Sequence, residues 1–160
     1  MKQKRLLYNS LITPQFTYAD IIWNKCGRTN QNKIQQAQNY AAKSILGLSK
    51  YSSTTEALKK LELLPLNEKR DIHTAVFARK ALEENAPSEI HEKYNSQQRP
   101  ASLRQNRLQT PRHRTKLYET GTFYSSIQIW NEVPQTIKNT SIGTFKNNLQ
   151  KYKLQKYLET

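Results

Sequence analysis

Apolar side chains at Ile34, Ala37, Ala41, Ile45 and Leu48 follow one another at intervals of 3, 4, 4 and 3 residues. With about 3.6 residues per helical turn, that spacing puts all five on one side of an α-helix. Asn30 can cap its start, and Gly47 can supply the left-handed residue that ends it. The opposite side would show Lys33, Gln35, Gln36, Asn39 and Lys43 to solvent or to a ligand.

The rest of the chain reads as further helices separated by prolines. Leu6, Leu7, Leu11 and Ile12 fit a short amphipathic helix that should stop near Pro14, because a residue before proline is pushed out of the α region. The run from Phe16 to Trp23 is apolar without a clean period and is read as helix. Ser53-Thr54-Thr55-Glu56 is a capping box that opens a helix ending before Pro65. A longer helix is expected from about Asn67 to Glu84. Its buried stripe would be Ile72, Ala75, Val76 and Leu82, with Glu68, Lys69, Arg70, Asp71, Arg79, Lys80, Glu83 and Glu84 on a mixed-sign outer face. Pro87 suits the first turn of a brief helix through Ile90 and Tyr94. From 95 to 121, Arg99, Arg104, Arg107, Arg112, Arg114 and Lys116 accumulate with no acid before Glu119, and Pro100 and Pro111 interrupt any helix. This predicts an extended, partly irregular basic arm. After Trp130 and Pro134, a helix from about Thr144 would carry Phe145, Leu149 and Tyr152 as a stripe. The expected fold is all-α, with a helical bundle over 1–50, a helical connector over 51–94, the arm over 95–121 and a C-terminal helical region over 122–160.

Composition explains why part of such a chain should be irregular. Leu, Ile, Val and Phe make up 34 of 160 residues, or 21%, close to the roughly 20% below which charged chains tend toward disorder. The 26 Lys and Arg against 12 Asp and Glu leave +14, distributed as +7 before residue 51, −1 over 51–98 and +8 beyond. That balance favours a polyanionic partner, with RNA or DNA ahead of an acidic membrane. No apolar run approaches the roughly 18 residues of a membrane span, and the start, Met1-Lys2-Gln3-Lys4-Arg5-Leu6-Leu7, turns polar at Asn9-Ser10 too soon for a signal peptide. Cys26 is the only cysteine, so neither an internal disulfide nor a zinc knuckle is available. A soluble intracellular protein is expected, nuclear or cytoplasmic.

The search for chemistry assigns no catalytic residue, metal ligand or cofactor. No G-x-x-x-x-G-K-[ST] or G-x-G-x-x-G phosphate cradle is present. His73, His91 and His113 have no H-E-x-x-H spacing and no evident carboxylate partner, and Cys26 follows Lys25 without a base or an orienting group in view. Tyr18-Ala19-Asp20 resembles the opening of the F/Y-x-D-D turn that holds metal ions in polymerases, but Ile21 follows. Two-metal phosphoryl transfer needs several converging carboxylates, and Asp20 is the only Asp among residues 1–55, which contain no Glu. What remains is a basic surface interleaved with Tyr8, Tyr40, Tyr118, Tyr124, Tyr152 and Tyr157. Each ring is expected to pack more often than to stack on a base.

Leu6-Leu7-Tyr8-Asn9-Ser10-Leu11-Ile12-Thr13-Pro14, followed by Phe16-Thr17-Tyr18 and Ile22-Trp23, resembles the segment just after the palm in LINE-type, jockey-like non-LTR retrotransposon reverse transcriptases. Lys33 to Asn39 is similar to that family's K-[IL]-Q-x-x-Q-N helix, and Ala41 to Gly47 sits where its R-x-I-x-G tail falls. Leu61-Glu62-Leu63-Leu64-Pro65-Leu66 resembles the L-x-x-L-P-[IVL] turn. Arg114-Thr115, Phe123-Tyr124, Ile129-Trp130-Asn131-Glu132-Val133-Pro134, Ile137-Lys138 and Phe145-Lys146-Asn147-Asn148-Leu149 resemble R-[TS]…S-F…W-N-x-[LV]-P…I-[KR]…F-K-x-x-L. The matches are in order over nearly the whole chain.

The resemblance implies a fragment of an RNA-directed DNA polymerase in which the palm with its catalytic aspartates, the fingers and the endonuclease lie outside. Residues 1–50 would be the thumb that follows primer–template duplex, and 51–160 a region that holds template RNA or target DNA. The residues expected to meet nucleic-acid backbone are Lys4, Arg5, Lys33 and Lys43 in the thumb and Arg104, Arg107, Arg112, Arg114 and Lys116 in the arm. Trp23 and Trp130 are expected to be packing anchors. The expected partners are RNA or DNA and the parent's palm and fingers. The competing readings are a small helical protein-interaction module, meeting its partner through 67–84 and the last helix, and a decayed fragment without selected activity.

Overall fold

The computed structural model describes residues 2–83, 86–98 and 106–159, and among these the fold is all-α. The elements are α1 (Lys2–Leu7), a π-helical turn (Tyr8–Ile12), α2 (Thr13–Thr17), α3 (Asp20–Trp23), α4 (Arg28–Leu46), α5 (Thr54–Lys60), α6 (Leu66–Leu82), α7 (Ser88–Asn95), α8 (Lys116–Thr120), α9 (Thr122–Glu132), α10 (Gln135–Lys138) and α11 (Ile142–Glu159). The β-pairing among the described residues amounts to one antiparallel bridge, Gln98 with Leu108. No described helix is long and apolar enough to cross a membrane. Arg104, with Arg99 and Pro100 of the predicted arm and Glu84 of the predicted outer face, lies outside the described residues.

The chain divides into two compact units, one of residues 1–70 and 152–160, the other of 71–151, so that the division falls inside α6 and α11. In the first unit α4 packs on α5 around Tyr8, Ala42, Ile45, Ala57, Leu58 and Leu61, with Phe16, Leu63 and Tyr157 against them. Helix α4 ends as its sequence predicts. Gly47 is left-handed at φ 67°, and the Gly47 and Leu48 amides return to the carbonyls of Ser44 and Lys43. Its start is three residues earlier than an Asn30 cap would give, because Gly27 precedes the first turn and its carbonyl already accepts the amides of Asn30 and Gln31.

The buried line of α4 is also turned from the apolar stripe. Gln38, Ala42 and Ile45 are buried, whereas Ala37 and Leu48 are exposed. The physical reason is a network of amides. Gln38 donates from Nε2 to the Leu64 carbonyl at 3.0 Å and to the Tyr8 hydroxyl at 3.4 Å. Gln35 donates to Gln38 Oε1 and Asn39 Oδ1 at 2.7 and 2.8 Å, and accepts the Leu66 amide at 2.9 Å. Gln35 and Asn39, expected to face solvent, are therefore half-buried structural groups. The Q-x-x-Q-N string of α4 thus holds the L-x-x-L-P turn and caps the first turn of α6.

The amino-terminal helix departs further from its reading. It does not stop at Pro14. The turn widens, with the Thr13 amide bonding the Tyr8 carbonyl five residues back, and Pro14 enters the first turn of α2, where no N–H is needed. Tyr8 is buried, while Leu6, Leu7, Leu11 and Ile12 stay exposed, Leu6 at 68%. Ala19, left-handed at φ 50°, then separates α2 from α3.

In the second unit the core is Ile72, Ala75, Ala78, Ala81, Tyr94, Ile127, Trp130, Phe145 and Leu149. Tyr94 lies edge-on to Phe77 and Phe123, and its hydroxyl meets Ser126 Oγ. Trp130 packs with its ring centre 5.9 Å from that of Phe145. Helix α6 is buried on more sides than its stripe suggests, since alanines at 75, 78 and 81 allow close approach, and Val76 and Leu82 are only half-buried. The mixed-sign outer face also needs correction. Arg70 is buried with its guanidinium 4.7 Å from the Trp23 ring centre, in the first unit. Arg79 pairs with Glu83 and donates to the carbonyls of Lys138 and Thr140 at the end of α10, where a cation suits the helix C-terminus. Tyr152, expected in the last buried stripe, is exposed.

Candidate nucleic-acid interface

In the first unit the expected cations come from α1 and α4. Lys4, Arg5 and Lys33 are exposed, and Lys43 is half-buried. Lys4 Nζ donates to the Ser44 carbonyl at 3.3 Å, and Lys43 Nζ to the Lys50 carbonyl at 2.8 Å. Both ammonium groups therefore gather at the C-terminal end of α4. A carbonyl partner leaves the charge unneutralised, so these lysines remain available to an anion. Lys33 stands ten residues before Lys43, about 15 Å along the axis. The two charges stand toward opposite ends of the helix rather than in a continuous row.

In the second unit the arm carries Arg107, Arg112, Arg114 and Lys116, all exposed. It is not loose. Leu108 is fully buried, and Asn131 of α9 grips its backbone twice, accepting the Leu108 amide at 2.9 Å and donating to its carbonyl at 3.0 Å. Next to this point Lys138 is buried, with Nζ 3.0 Å from the Asn106 carbonyl and 5.0 Å from the Trp130 ring centre. Burial, followed by the charge of Arg107, lowers its ammonium to about 8.

Further along the arm, His113 Nε2 meets Glu119 Oε1 at 2.7 Å. The histidine thus has the carboxylate partner that spacing did not suggest. Its ring lies parallel to Tyr118 and edge-on to Tyr124, at centre distances of 6.2 and 4.7 Å. Among the described residues no three His, Cys, Asp or Glu side chains come together as a metal-holding group. Trp23 is half-buried and donates from Nε1 to the Tyr18 carbonyl at 2.8 Å, and Trp130 is fully buried.

Sequence reasoning missed Gln35, Gln38 and Asn131, polar groups that each bond a backbone atom 23 to 31 residues away. The Q-x-x-Q-N and W-N strings were the available signal. The chain matches no family model, and comparison with curated proteins and with solved structures finds no match.

Proposed function

We propose that this chain is a non-catalytic piece of a non-LTR retrotransposon reverse transcriptase that grips RNA or DNA backbone without strong sequence preference. The observation that carries the reading is the state of the cations. Lys4, Arg5, Lys33, Arg107, Arg112, Arg114 and Lys116 are exposed, and among the described residues none of them meets a carboxylate. Cations free of carboxylates displace counterions from phosphates instead of exchanging one ion pair for another. The resemblance draws support from the way its motif residues work together, Gln35 and Gln38 holding the Leu61–Leu66 turn and Asn131 holding the arm.

Titration of a fluorescent RNA–DNA duplex and of single-stranded RNA over a range of salt tests the reading. If about six side chains meet phosphates, the duplex affinity should fall with a log–log slope near −5. The triple change Arg112→Glu, Arg114→Glu and Lys116→Glu should weaken binding with the helical circular dichroism unchanged. Primer extension by this chain should give no product above background. Binding that ignores salt, or no measurable binding to either probe, would remove the proposal.

One observation favours the protein-interaction reading as a second role. Leu6, Leu7 and Leu11 are exposed beside an apolar groove of about 320 Å³ that Leu7, Tyr8, Ile12, Tyr40, Ala41 and Ile45 help to line. That face suits a protein partner such as the parent's palm and fingers better than the largely buried α6 does. Leu7→Glu should abolish such an association, and the arm triple variant should leave it intact.

A further inference from the structure

Helices α8 and α9 meet at Gly121 in a turn so tight that a Cβ there would come within 3.1 Å of the Tyr118 carbonyl oxygen. The turn gathers Leu117, Tyr118, Phe123 and Tyr124 around an open cavity of about 390 Å³, within the range of about 300–1,000 Å³ that small-molecule sites occupy. Tyr118 is 40% exposed and Leu117 is 82% exposed, so the wall of this cavity offers apolar and aromatic surface to solvent. Tyr118 is also held in place, with His113 parallel to its ring and Tyr124 edge-on at 6.0 Å.

Cations gather before and beside the cavity. Arg112, Arg114 and Lys116 lead the chain into it and are exposed, and Lys93 Nζ sits 4.5 Å from the centre of the Phe123 ring. The nearby acid, Glu119, is engaged by His113. An aromatic wall with cations before and beside it has the two features that bind single-stranded nucleic acid: a ring for a base and positive charge for the phosphates on either side. We propose that this cavity stacks one unpaired base of a single strand on Tyr118, with Arg112, Arg114 and Lys116 holding the flanking phosphates. The inference rests on the nucleic-acid reading above. It adds a defined place where a single strand is told from a duplex, whose bases already stack on one another.

Three fluorescein-labelled probes test it, namely a short oligo-T, the matching oligo-U and a blunt DNA duplex of the same length, with the whole chain and its variants. Tyr118→Ala should weaken binding of the two single strands about 5- to 150-fold and leave the duplex within about twofold. Tyr118→Trp, which keeps a stacking face, should restore single-strand affinity. A 2-aminopurine placed in the strand should be quenched by the unmodified chain and not by Tyr118→Ala. An equal effect of the alanine change on all three probes, or none on the single strands, overturns the base site while leaving backbone binding in place, and the latter result gives the cavity to another ligand class. Failure of the unmodified chain to bind any of the probes at low salt overturns the nucleic-acid reading itself. A difference between oligo-T and oligo-U, with Tyr118 dependence in both, supports the site and reports which sugar it prefers.

Discussion

Burying Lys138 costs the chain stability near neutral pH, and the cost has a pH window. Its ammonium titrates at about 8 in the fold against 10.5 when free. Between those values the unfolded chain holds a proton that the folded chain has released, so unfolding becomes less favourable as pH rises. The penalty is complete below the folded value and is relieved toward the free one. Between about pH 7.5 and about pH 9.5 the unfolding free energy should rise by about 2 kcal/mol in urea titrations. Lys138→Met should flatten that rise. Above about pH 10 the trend should reverse, because burial raises the hydroxyls of Tyr8 and Tyr94 and protonated tyrosine is then favoured in the fold. Gln38 gives a second test. Gln38→Ala leaves the Leu64 carbonyl without its donor and removes one of the two acceptors of the Gln35 amide, which should cost about 2–3 kcal/mol by chemical denaturation. Neither residue announced itself in the sequence. A glutamine or lysine carries no apolar period, and what buries it is a backbone carbonyl some 26 or 32 residues away.

Elements were more legible than the faces they bury. The end of α4 at Gly47 and the start of α5 at Ser53, whose Oγ accepts the Glu56 amide at 3.4 Å, follow from local chemistry within a few residues. The phase of α4 and the continuation of the first helix through Pro14 do not, because each depends on where Tyr8 and the Leu61–Leu66 turn come to lie. One helix end can be improved. Helix α5 closes with the Glu62 and Leu63 amides bonding the carbonyls of Lys59 and Leu58, and Glu62 is left-handed at φ 52°. A side chain in that region is strained. Glu62→Gly should therefore stabilise the chain by about 0.5–1 kcal/mol, read as a shift in the denaturation midpoint at unchanged slope. The arm depends on another element, since α9 holds it through Asn131. Asn131→Ala should raise amide exchange at Leu108 and expose 106–115 to proteolysis, with α9 still helical.

At the scale of the whole chain, positive charge should work against folding and, in the proposed function, for binding, and salt separates the two. The unit of residues 1–70 and 152–160 carries 14 basic and 5 acidic residues, and that of 71–151 carries 12 and 7, so each is positive by itself. Like charges on a compact surface repel one another, and added salt screens that repulsion with a Debye length of about 10 Å at about 0.1 M. Raising salt from low to moderate values should therefore raise the melting temperature of the free chain. The same change should weaken any grip on phosphate, since counterion release then gains less. Opposite signs matter for interpreting the test, because weaker binding at a higher melting temperature cannot come from loss of structure. Lys33→Glu, at an exposed position, should shift both quantities in the direction that salt does. The measurement is a melting curve and an anisotropy titration on the same samples, and a melting temperature that falls with salt in the free chain would show that the surface charge is not repulsive in the fold.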